Sequence, residues 1–414
     1  MRAYNRKILK FSKGAVMTVI VRPADLEEDA KACAEVRHKI HRHPEMGLNL
    51  PKSEALLVES LKSFGADEVV THVGGEGVTG IVAIVAGNRP GRTIGLRADY
   101  DALGLDEATG KPWASELPKR MHACGHDGHA ATLLAAVRYL CRHRDFAGRL
   151  AAVFQPGEEG YAGGRYMVED GLAERFGIAE FYALHSEPQV ELGKVALVEG
   201  YATANADVFE IEFEGMGGHG SRPHLAKDPI VAASEAVLAL QTIASRSVAP
   251  DDTAIVSVCN ITSGTANSVS VIPQTAVLRG TSRSYTPEAQ DIIERRIREI
   301  AAGVAMTYCM KAEVKYTRLY PAMHNDPELT RKACEALQES LGAENVKPWH
   351  RTPGGEDFAF MLRKRPGCLF RLGLKDEDPA HGSPVHSQFF DFNDKAIATG
   401  ASSLLTVALT RMAA

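Results

Sequence analysis

The order of predicted elements in residues 203–315 limits the fold of this chain more than any other feature. Hydrophobic periodicity there predicts strands 207–215, 253–262, 275–285 and 312–319 and helices 228–246 and 287–306. This is the β-α-β-β-α-β order of a ferredoxin-like domain. On both sides of the segment strands alternate with helices, which favours a mostly parallel sheet covered by helices. We therefore expect an α/β fold in which residues 17–202 and 316–414 form one domain and residues 203–315 form an inserted α+β domain.

Charge and cysteine content bear on partners and location. The 414 residues carry a formal net charge of -5 without a cluster of Lys and Arg, so nucleic acid is not an expected partner. The seven cysteines are scattered and contain no Cys-x-x-Cys pair, which favours a reducing compartment. The apolar run 15–21 is too short to span a bilayer and lacks a cleavage site. We expect a cytoplasmic protein without membrane contact, which starts at either Met1 or Met17.

Residues 121–129, MHACGHDGH, concentrate a thiol, three imidazoles and a carboxylate in one short stretch. The apolar pattern from Ala130 onward is helical, so these side chains lie on a loop that enters a helix. A helix start is electropositive and would favour the thiolate of Cys124, the form that binds metals. Taken alone, however, a Cys and a His at this spacing are more often a buried thiol and a capping imidazole.

Further polar side chains follow the predicted strands of the larger domain. Asp99 and Asp101 end one strand, the pair Glu158 and Glu159 follows the next, and His185 ends a third. In a parallel sheet, sites form beyond the carboxyl ends of the strands. The two aspartates would either cap a turn or hold metal-bound imidazoles in place. The adjacent glutamates would either be solvated or divide two roles, one as a metal ligand and the other as a base.

Two imidazole-rich loops carry no clear chemistry by themselves. His219 is flanked by glycines and is poorly placed for core packing, but a loop imidazole is more often simply solvated. Residues 41–45, HRHPE, are predicted to form a polar turn with capping imidazoles.

Seven motifs then occur in one order along the chain from residue 41 to the C-terminus. They are RADYDAL (97–103), MHACGHDGH (121–129), FQPGEEG (154–160), HSEP (185–188), GGHGSRPH (217–224), PGGEDF (353–358) and VHSQFFDF (385–392). This set resembles the aminoacylase, hippurate hydrolase and auxin-conjugate amidohydrolase branch of a di-metal metallopeptidase family.

The resemblance implies roles for individual residues. Glu158 is implied as the catalytic base, and the ligands of two divalent metal ions are implied to be Cys124, His126, Glu159, His185 and His386. The larger domain would be a phosphorylase/hydrolase-like catalytic domain. The insertion would be a lid through which a homodimer or higher homo-oligomer forms, and His219 would reach an active site, that of the partner subunit.

Such a site can hydrolyse an amide without a Ser or Cys nucleophile, because two metal ions activate water and polarise the carbonyl. The mixed ligands suit Zn, Mn, Co or Ni. Arg283 and the amides of Gly354 and Gly355 are candidates to hold a substrate carboxylate. The family usually has Asn before Val-Ile-Pro, where this chain has Ser270, so the role of Asn267 in substrate binding is open.

The function expected first is hydrolysis of N-acyl amino acids or related amides. A dipeptidase or carboxypeptidase is a rival with the same chemistry and a different acyl pocket. From another class, a non-catalytic metal-binding or redox-sensing protein could be built on Cys124. Glu158 argues against this alternative, because a storage or sensing site needs no spare carboxylate beside a ligand.

Overall fold

The structure, a computed structural model, describes residues 18–413, so the question of Met1 or Met17 as the start lies outside the described residues. The helices are α1 (Glu27–Arg42), α2 (Pro51–Phe64), α3 (His126–Arg142), α4 (Glu158–Tyr161), α5 (Gly163–Glu169), α6 (Leu172–Arg175), α7 (Pro229–Leu240), α8 (Pro287–Thr307), α9 (Pro327–Leu341), α10 (Phe358–Lys364) and α11 (Ala396–Met412).

The strands are β1 (Glu68–Val70), β2 (Ile81–Ala86), β3 (Arg89–Asp99), β4 (Ala147–Gln155), β5 (Ile178–Glu191), β6 (Val195–Leu197), β7 (Gly200–Thr203), β8 (Ala206–Glu214), β9 (Gly218–His219), β10 (Ala254–Ser263), β11 (Val271–Ile272), β12 (Thr275–Ser284), β13 (Lys311–Tyr320), β14 (Met323–Asn325), β15 (Val346–Pro348) and β16 (Gly367–Lys375).

The larger domain is built on an eight-stranded sheet in the order β1-β2-β4-β3-β5-β16-β6-β15. Its central strands β4, β3, β5 and β16 are parallel, whereas the pairs β1–β2, β2–β4 and β16–β6 are antiparallel. Helices α1, α3 and α11 cover one face, with Leu133 and Leu404 in the buried core. Helices α5 and α10 cover the other face, where Met167 and Phe358 are buried. The expected α/β fold with a mostly parallel sheet is confirmed.

The insertion is a four-stranded antiparallel sheet with helices α7 and α8 on one face. The strand order β13-β8-β12-β10 is that of a ferredoxin-like domain, which confirms the predicted β-α-β-β-α-β reading. The helix predicted over 228–246 is shorter than expected, because α7 ends at Leu240 and a separate π-helical turn spans Ile243–Ser247. The domain limits at 203 and 315 stay predictions, and β13 of the inserted sheet continues beyond the second limit to Tyr320.

The topology brings the ends of several elements to one edge of the large sheet. β3 ends at Asp99, β4 ends at Gln155 just before Glu158, and α3 begins at His126. β5 passes through His185 beside them. Among the described residues, no helix is long and apolar enough to cross a membrane.

Candidate metal centre

Four of the five predicted ligands come from the loop that enters α3, from the loop after β4 and from β5. His185 was predicted to end its strand, but β5 continues to Glu191, so this ligand lies within the strand. Cys124 and His126 flank Gly125, which caps α3 with a φ of 85°. A side chain at that glycine would also meet Ser186 at 2.9 Å, so the tight turn requires glycine. Cys124 Sγ lies 3.4 Å from His185 Nε2, and His126 Nε2 lies 3.9 Å from Glu159 Oε1.

The fifth predicted ligand, His386, comes from a loop near the C-terminus. Its backbone N–H donates to the carbonyl of Ala123 at 2.7 Å, which attaches this loop to the loop of Cys124. Its Nε2 lies 3.2 Å from Glu159 Oε1, and 54% of its side chain is exposed. The five residues therefore converge in space, although they are distant in sequence.

His126 and His185 use the same ring nitrogen, Nδ1, for a hydrogen bond to a backbone carbonyl. His126 Nδ1 lies 3.1 Å from the carbonyl oxygen of Asp101, and His185 Nδ1 lies 2.8 Å from that of Ser186. A carbonyl only accepts, so the proton of each neutral ring is on Nδ1 and the lone pair is on Nε2. Both Nε2 atoms face the cluster, as metal coordination requires.

The donor set fits metal ions. Ligand atoms of Cys124, His126 and His185 lie within 4.8 Å of one another, and so do those of Cys124, Glu159 and His386. His126 Nε2 and Glu159 Oε1 are buried and have no hydrogen-bond partner among residues 18–413. Orphaned buried polar atoms are costly, and a cation between them would satisfy both. Thiolate, imidazole and carboxylate together suit a transition metal.

His129, in the same stretch, is occupied otherwise. Its Nε2 accepts from the backbone N–H of Ser186 at 2.8 Å, so Nδ1 carries the proton and donates to Asp99 at 2.6 Å. Asp99 also accepts from Arg97 at 2.8 Å. Although burial opposes its charge, Arg97 holds the pKa of Asp99 well below its usual value. Asp99 therefore orients His129 and faces His126 Nε2 at 3.6 Å.

Asp101 fixes the backbone of the two glutamates. Its carboxylate accepts from the N–H groups of Glu158 and Glu159, both at 3.0 Å, and lies 3.3 Å from His126 Nδ1. One side chain thus sets the orientation of His126 and of the loop with the adjacent glutamates, which supports the predicted supporting role of Asp101 rather than a simple turn cap.

The pKa values of the cluster follow from burial and charge. Burial, and then Arg371, holds the pKa of His185 well below its usual value, which keeps the ring neutral. Burial opposes a charge on His126, but Asp99 and Cys124 raise its pKa well above normal; the same anionic surroundings attract a metal cation. Burial raises the pKa of Cys124 to about 12, so the helix start alone does not make this residue a thiolate, and a bound cation would have to favour that form.

Glu158 is buried beside the cluster, near further acidic side chains. Burial and the charges of Glu356 and Asp357 raise its pKa well above the usual value. Its backbone carbonyl accepts a hydrogen bond of 2.6 Å from the hydroxyl of Tyr320. Glu356 and Asp357 belong to the PGGEDF motif but were not predicted as site residues, and neither was Tyr320. Two adjacent acidic residues after Gly354–Gly355 could have indicated a site. The sequence around Tyr320, in contrast, has no feature that predicts its contact with Glu158.

A cleft of about 580 Å³ opens over the cluster. Arg283, Gly354 and Gly355 line it together with four of the ligand candidates, Cys124, Glu159, His185 and His386. His219 and Asn267 do not line this cleft. His219 is exposed on β9, where its Nδ1 accepts from the N–H of Ser221 at 3.1 Å, and Asn267 is exposed in the loop before β11.

The chain matches known proteins over nearly its whole length. The model of peptidase family M20/M25/M40 matches residues 95–410. The chain is 36% identical to a hippurate hydrolase of Campylobacter jejuni, with 91% of this chain and 95% of the relative covered. It is 35% identical to an N-acetyldiaminopimelate deacetylase of Bacillus pumilus, with 89% and 94% covered.

Solved structures agree with these matches. A putative aminohydrolase from methicillin-resistant Staphylococcus aureus has a TM-score of 0.87 at 32% identity, covering 94% of this chain and 98% of that one. A dinuclear metal-binding peptidase of the M20 family from Bacillus subtilis has a TM-score of 0.79 at 28% identity, with 93% and 99% covered. These matches confirm the resemblance read from the motifs and, with it, a hydrolase of amide bonds that uses two divalent metal ions. The chain belongs to peptidase family M20/M25/M40.

Proposed function

We propose that this protein hydrolyses the amide bond of N-acyl amino acids in the cleft over Cys124, His126, Glu159, His185 and His386. The observation that carries the proposal is the convergence of these five donors, with the buried Glu158 beside them. Two of the ligand atoms, His126 Nε2 and Glu159 Oε1, are buried and have no hydrogen-bond partner among residues 18–413. The names of the two relatives, a hippurate hydrolase and an N-acetyldiaminopimelate deacetylase, support an N-acyl amino acid as the substrate class.

The donors divide into two groups that share one atom. Cys124 Sγ belongs both to the group with His126 and His185 and to the group with Glu159 and His386. The five residues would together hold the two metal ions, and Cys124 is within reach of both groups of donors. Two ions bound there would lower the pKa of a water molecule and polarise the scissile carbonyl, and Zn, Mn, Co or Ni would suit these ligands.

Glu158 is the proton carrier in this proposal. It accepts a proton from the attacking water and passes it to the leaving amine, which requires a carboxylate whose affinity for protons is raised. Burial and Glu356 provide that rise, and Asp101 and Tyr320 hold the backbone of the residue. The adjacent Glu159 stays ionised as a ligand, so the two neighbours have different tasks.

The remaining site residues position the substrate. Arg283 is half-buried in the cleft and, with the amides of Gly354 and Gly355, would hold the α-carboxylate. His219 and Asn267 would act in the cleft of a partner subunit, with the lid, residues 203–315, as the dimer interface. Since His219 Nδ1 accepts from Ser221, the proton of the neutral ring is on Nε2, the atom that would donate to the developing oxyanion.

The cellular location proposed is the cytoplasm. None of the seven cysteines forms a disulfide, which fits a reducing compartment.

The proposal is tested by reconstituting the protein with one metal at a time and assaying N-acetyl amino acids, N-benzoyl amino acids and dipeptides. The matched control is Glu158→Gln, which keeps the shape of the side chain and every proposed ligand. We expect metal-dependent release of the free amino acid by the wild type and a loss of about 10²- to 10⁴-fold in the variant at equal metal content. If the wild type hydrolyses only dipeptides, the protein is a dipeptidase instead. Full activity of the variant would exclude Glu158 as the base.

A further inference from the structure

Arg371 is a cation in the cleft that the proposed chemistry does not use. It lies on β16, and its backbone is in register with His185 on the parallel neighbour β5. Leu369 and Ala183, two residues earlier on the same strands, are buried together on one face of the sheet. Because side chains alternate along a strand, Arg371 and His185 share that face and stand side by side.

The guanidinium of Arg371 has no partner within the described part of the chain. No hydrogen bond or ion pair of its side chain occurs among residues 18–413, although it is half-buried and lines the cleft. On the other side of Arg371, the paired residue on the antiparallel neighbour β6 is Ala196, whose side chain has no charge. Glu187 lines the same cleft, but its carboxylate is more than 4 Å away and accepts from the N–H of Gln189. A guanidinium that lines a cleft and has no acceptor from the protein keeps its donors available to a ligand.

A structural role does not explain the position. A fixed cation beside His185 repels the metal ions that this imidazole is proposed to bind, so it would weaken the centre in the absence of an anion. Arg283, the other arginine of the cleft, differs because its guanidinium donates to Thr281 and to the carbonyl of Ser282. Of these two arginines, Arg371 is therefore the one whose guanidinium N–H groups are all free to bind a ligand among the described residues.

We propose that Arg371 binds a second carboxylate of the substrate, so that the preferred substrates are N-acyl amino acids with two carboxylates. The inference rests on the proposed function, which assigns the α-carboxylate to Arg283 and the Gly354–Gly355 amides. A planar guanidinium pairs with a carboxylate through two parallel hydrogen bonds, which a neutral group of the same shape cannot match. The second carboxylate is either at the end of the acyl chain or on the side chain of the amino acid.

Two pairs of substrates separate these sources. N-succinyl-alanine and its terminal amide, N-succinamoyl-alanine, test the acyl chain; N-acetyl-glutamate and N-acetyl-glutamine test the side chain. For at least one of the two pairs, we expect the kcat/KM of the wild type to be about tenfold to hundredfold higher for the compound with two carboxylates than for its amide. Arg371→Gln should bring that ratio close to one, Arg371→Lys should keep part of it, and the exposed Arg331→Gln should leave it as in the wild type.

Ratios near one in both pairs for the wild type would overturn the proposal, as would an unchanged ratio in Arg371→Gln. If neither pair nor N-acetyl-alanine is hydrolysed, the proposed function fails, and Arg371 is then tested by binding. Calorimetric titration of the metal-loaded protein with succinate and succinamate should show tighter binding of succinate, and Arg371→Gln should remove that difference. Equal binding of both compounds by the wild type would reject the role of Arg371 independently of catalysis.

Discussion

The hydroxyl of Tyr320 donates a 2.6 Å hydrogen bond to the backbone carbonyl of Glu158. The same hydroxyl accepts from the N–H of Ala162 at 3.1 Å, where the backbone has a positive φ of 56°. Tyr320 is the last residue of β13, a strand of the inserted sheet, whereas Glu158 follows β4 of the large sheet. One phenol therefore ties the inserted domain to the strained loop that presents the proposed base.

Tyr320→Phe removes both hydrogen bonds of this phenol and keeps the ring. Since each bond contributes about 1 kcal/mol, we expect kcat to fall about tenfold, with KM and bound metal little changed. Steady-state kinetics and metal analysis measure these quantities. Tyr316→Phe is the control, because its hydroxyl contacts Ser282 and Asp207 within the inserted domain. Equal losses in the two variants would indicate a general loss of lid stability instead of a positioned base.

Cys124→Ala removes the atom that belongs to both groups of donors. We expect bound metal to drop well below two ions per chain, because each group loses a ligand, and activity to drop with it. Cys141→Ala is the matched control, since this half-buried cysteine of α3 is in neither group. Elemental analysis of the purified variants is the measurement, and full metal occupancy in Cys124→Ala would contradict the assigned ligand set.

The proposed reach of His219 into the partner subunit can be tested by mixing two inactive variants. Glu158→Gln and His219→Ala should each be almost inactive. After random exchange of subunits, about half of the dimers are mixed, and one of the two sites in each combines an intact Glu158 with the partner's His219. Activity should therefore recover to about a quarter of the wild-type value. No recovery in subunits shown to exchange would place His219 in its own chain's cleft or outside catalysis.

The stability of the protein should depend on pH through His41. This imidazole lies 2.8 Å from Asp127 and 3.2 Å from Glu107. Burial opposes its charge, but the two carboxylates raise its pKa from 6.5 to about 9. Because the folded pKa is raised, the stabilisation is complete below about pH 6.5 and is lost as the pH rises through about 9.

As the pH rises from about 6.5 to above 9, we expect the contribution of His41 to the free energy of unfolding to fall by about 3 kcal/mol. Urea denaturation of the wild type and of His41→Gln at pH 6.5 and 9.5 measures it. The difference between the two proteins should be large at the lower pH and small at the higher one. A difference that is equal at both pH values would show that His41 is not charged in the folded protein.

Much of the fold and of the ligand set could be predicted from local patterns. The alternation of apolar residues fixed the strands of the inserted domain to within one or two residues, as in the strand expected at 207–215 and found at Ala206–Glu214. Parallel-sheet topology alone indicated that Asp101 and Glu158 would meet at one edge, because strand ends converge there. His185 joins them from within β5, which is longer than the predicted strand. The motif order added the roles of these residues.

The failures concern properties that depend on distant parts of the chain. His41 was expected in a polar turn, but it is buried in α1 against Asp127, eighty-six residues away. The thiolate expected at Cys124 from the nearby helix start is opposed by burial, which no local pattern reveals.

The sequence by itself determined which kinds of ligand this protein carries and the elements that present them, since these follow from residue type, periodicity and motif order. Only the tertiary structure decided that His126 offers a free nitrogen while His129 does not, because the partners Asp101, Asp99 and Ser186 come from distant parts of the chain. It also decided that Arg371 stands beside His185 without a side-chain partner in the part of the chain that the structure describes. Burial and hydrogen bonding are set by residues that become neighbours only when the chain folds, so they determine which chemically suitable side chains are free to act.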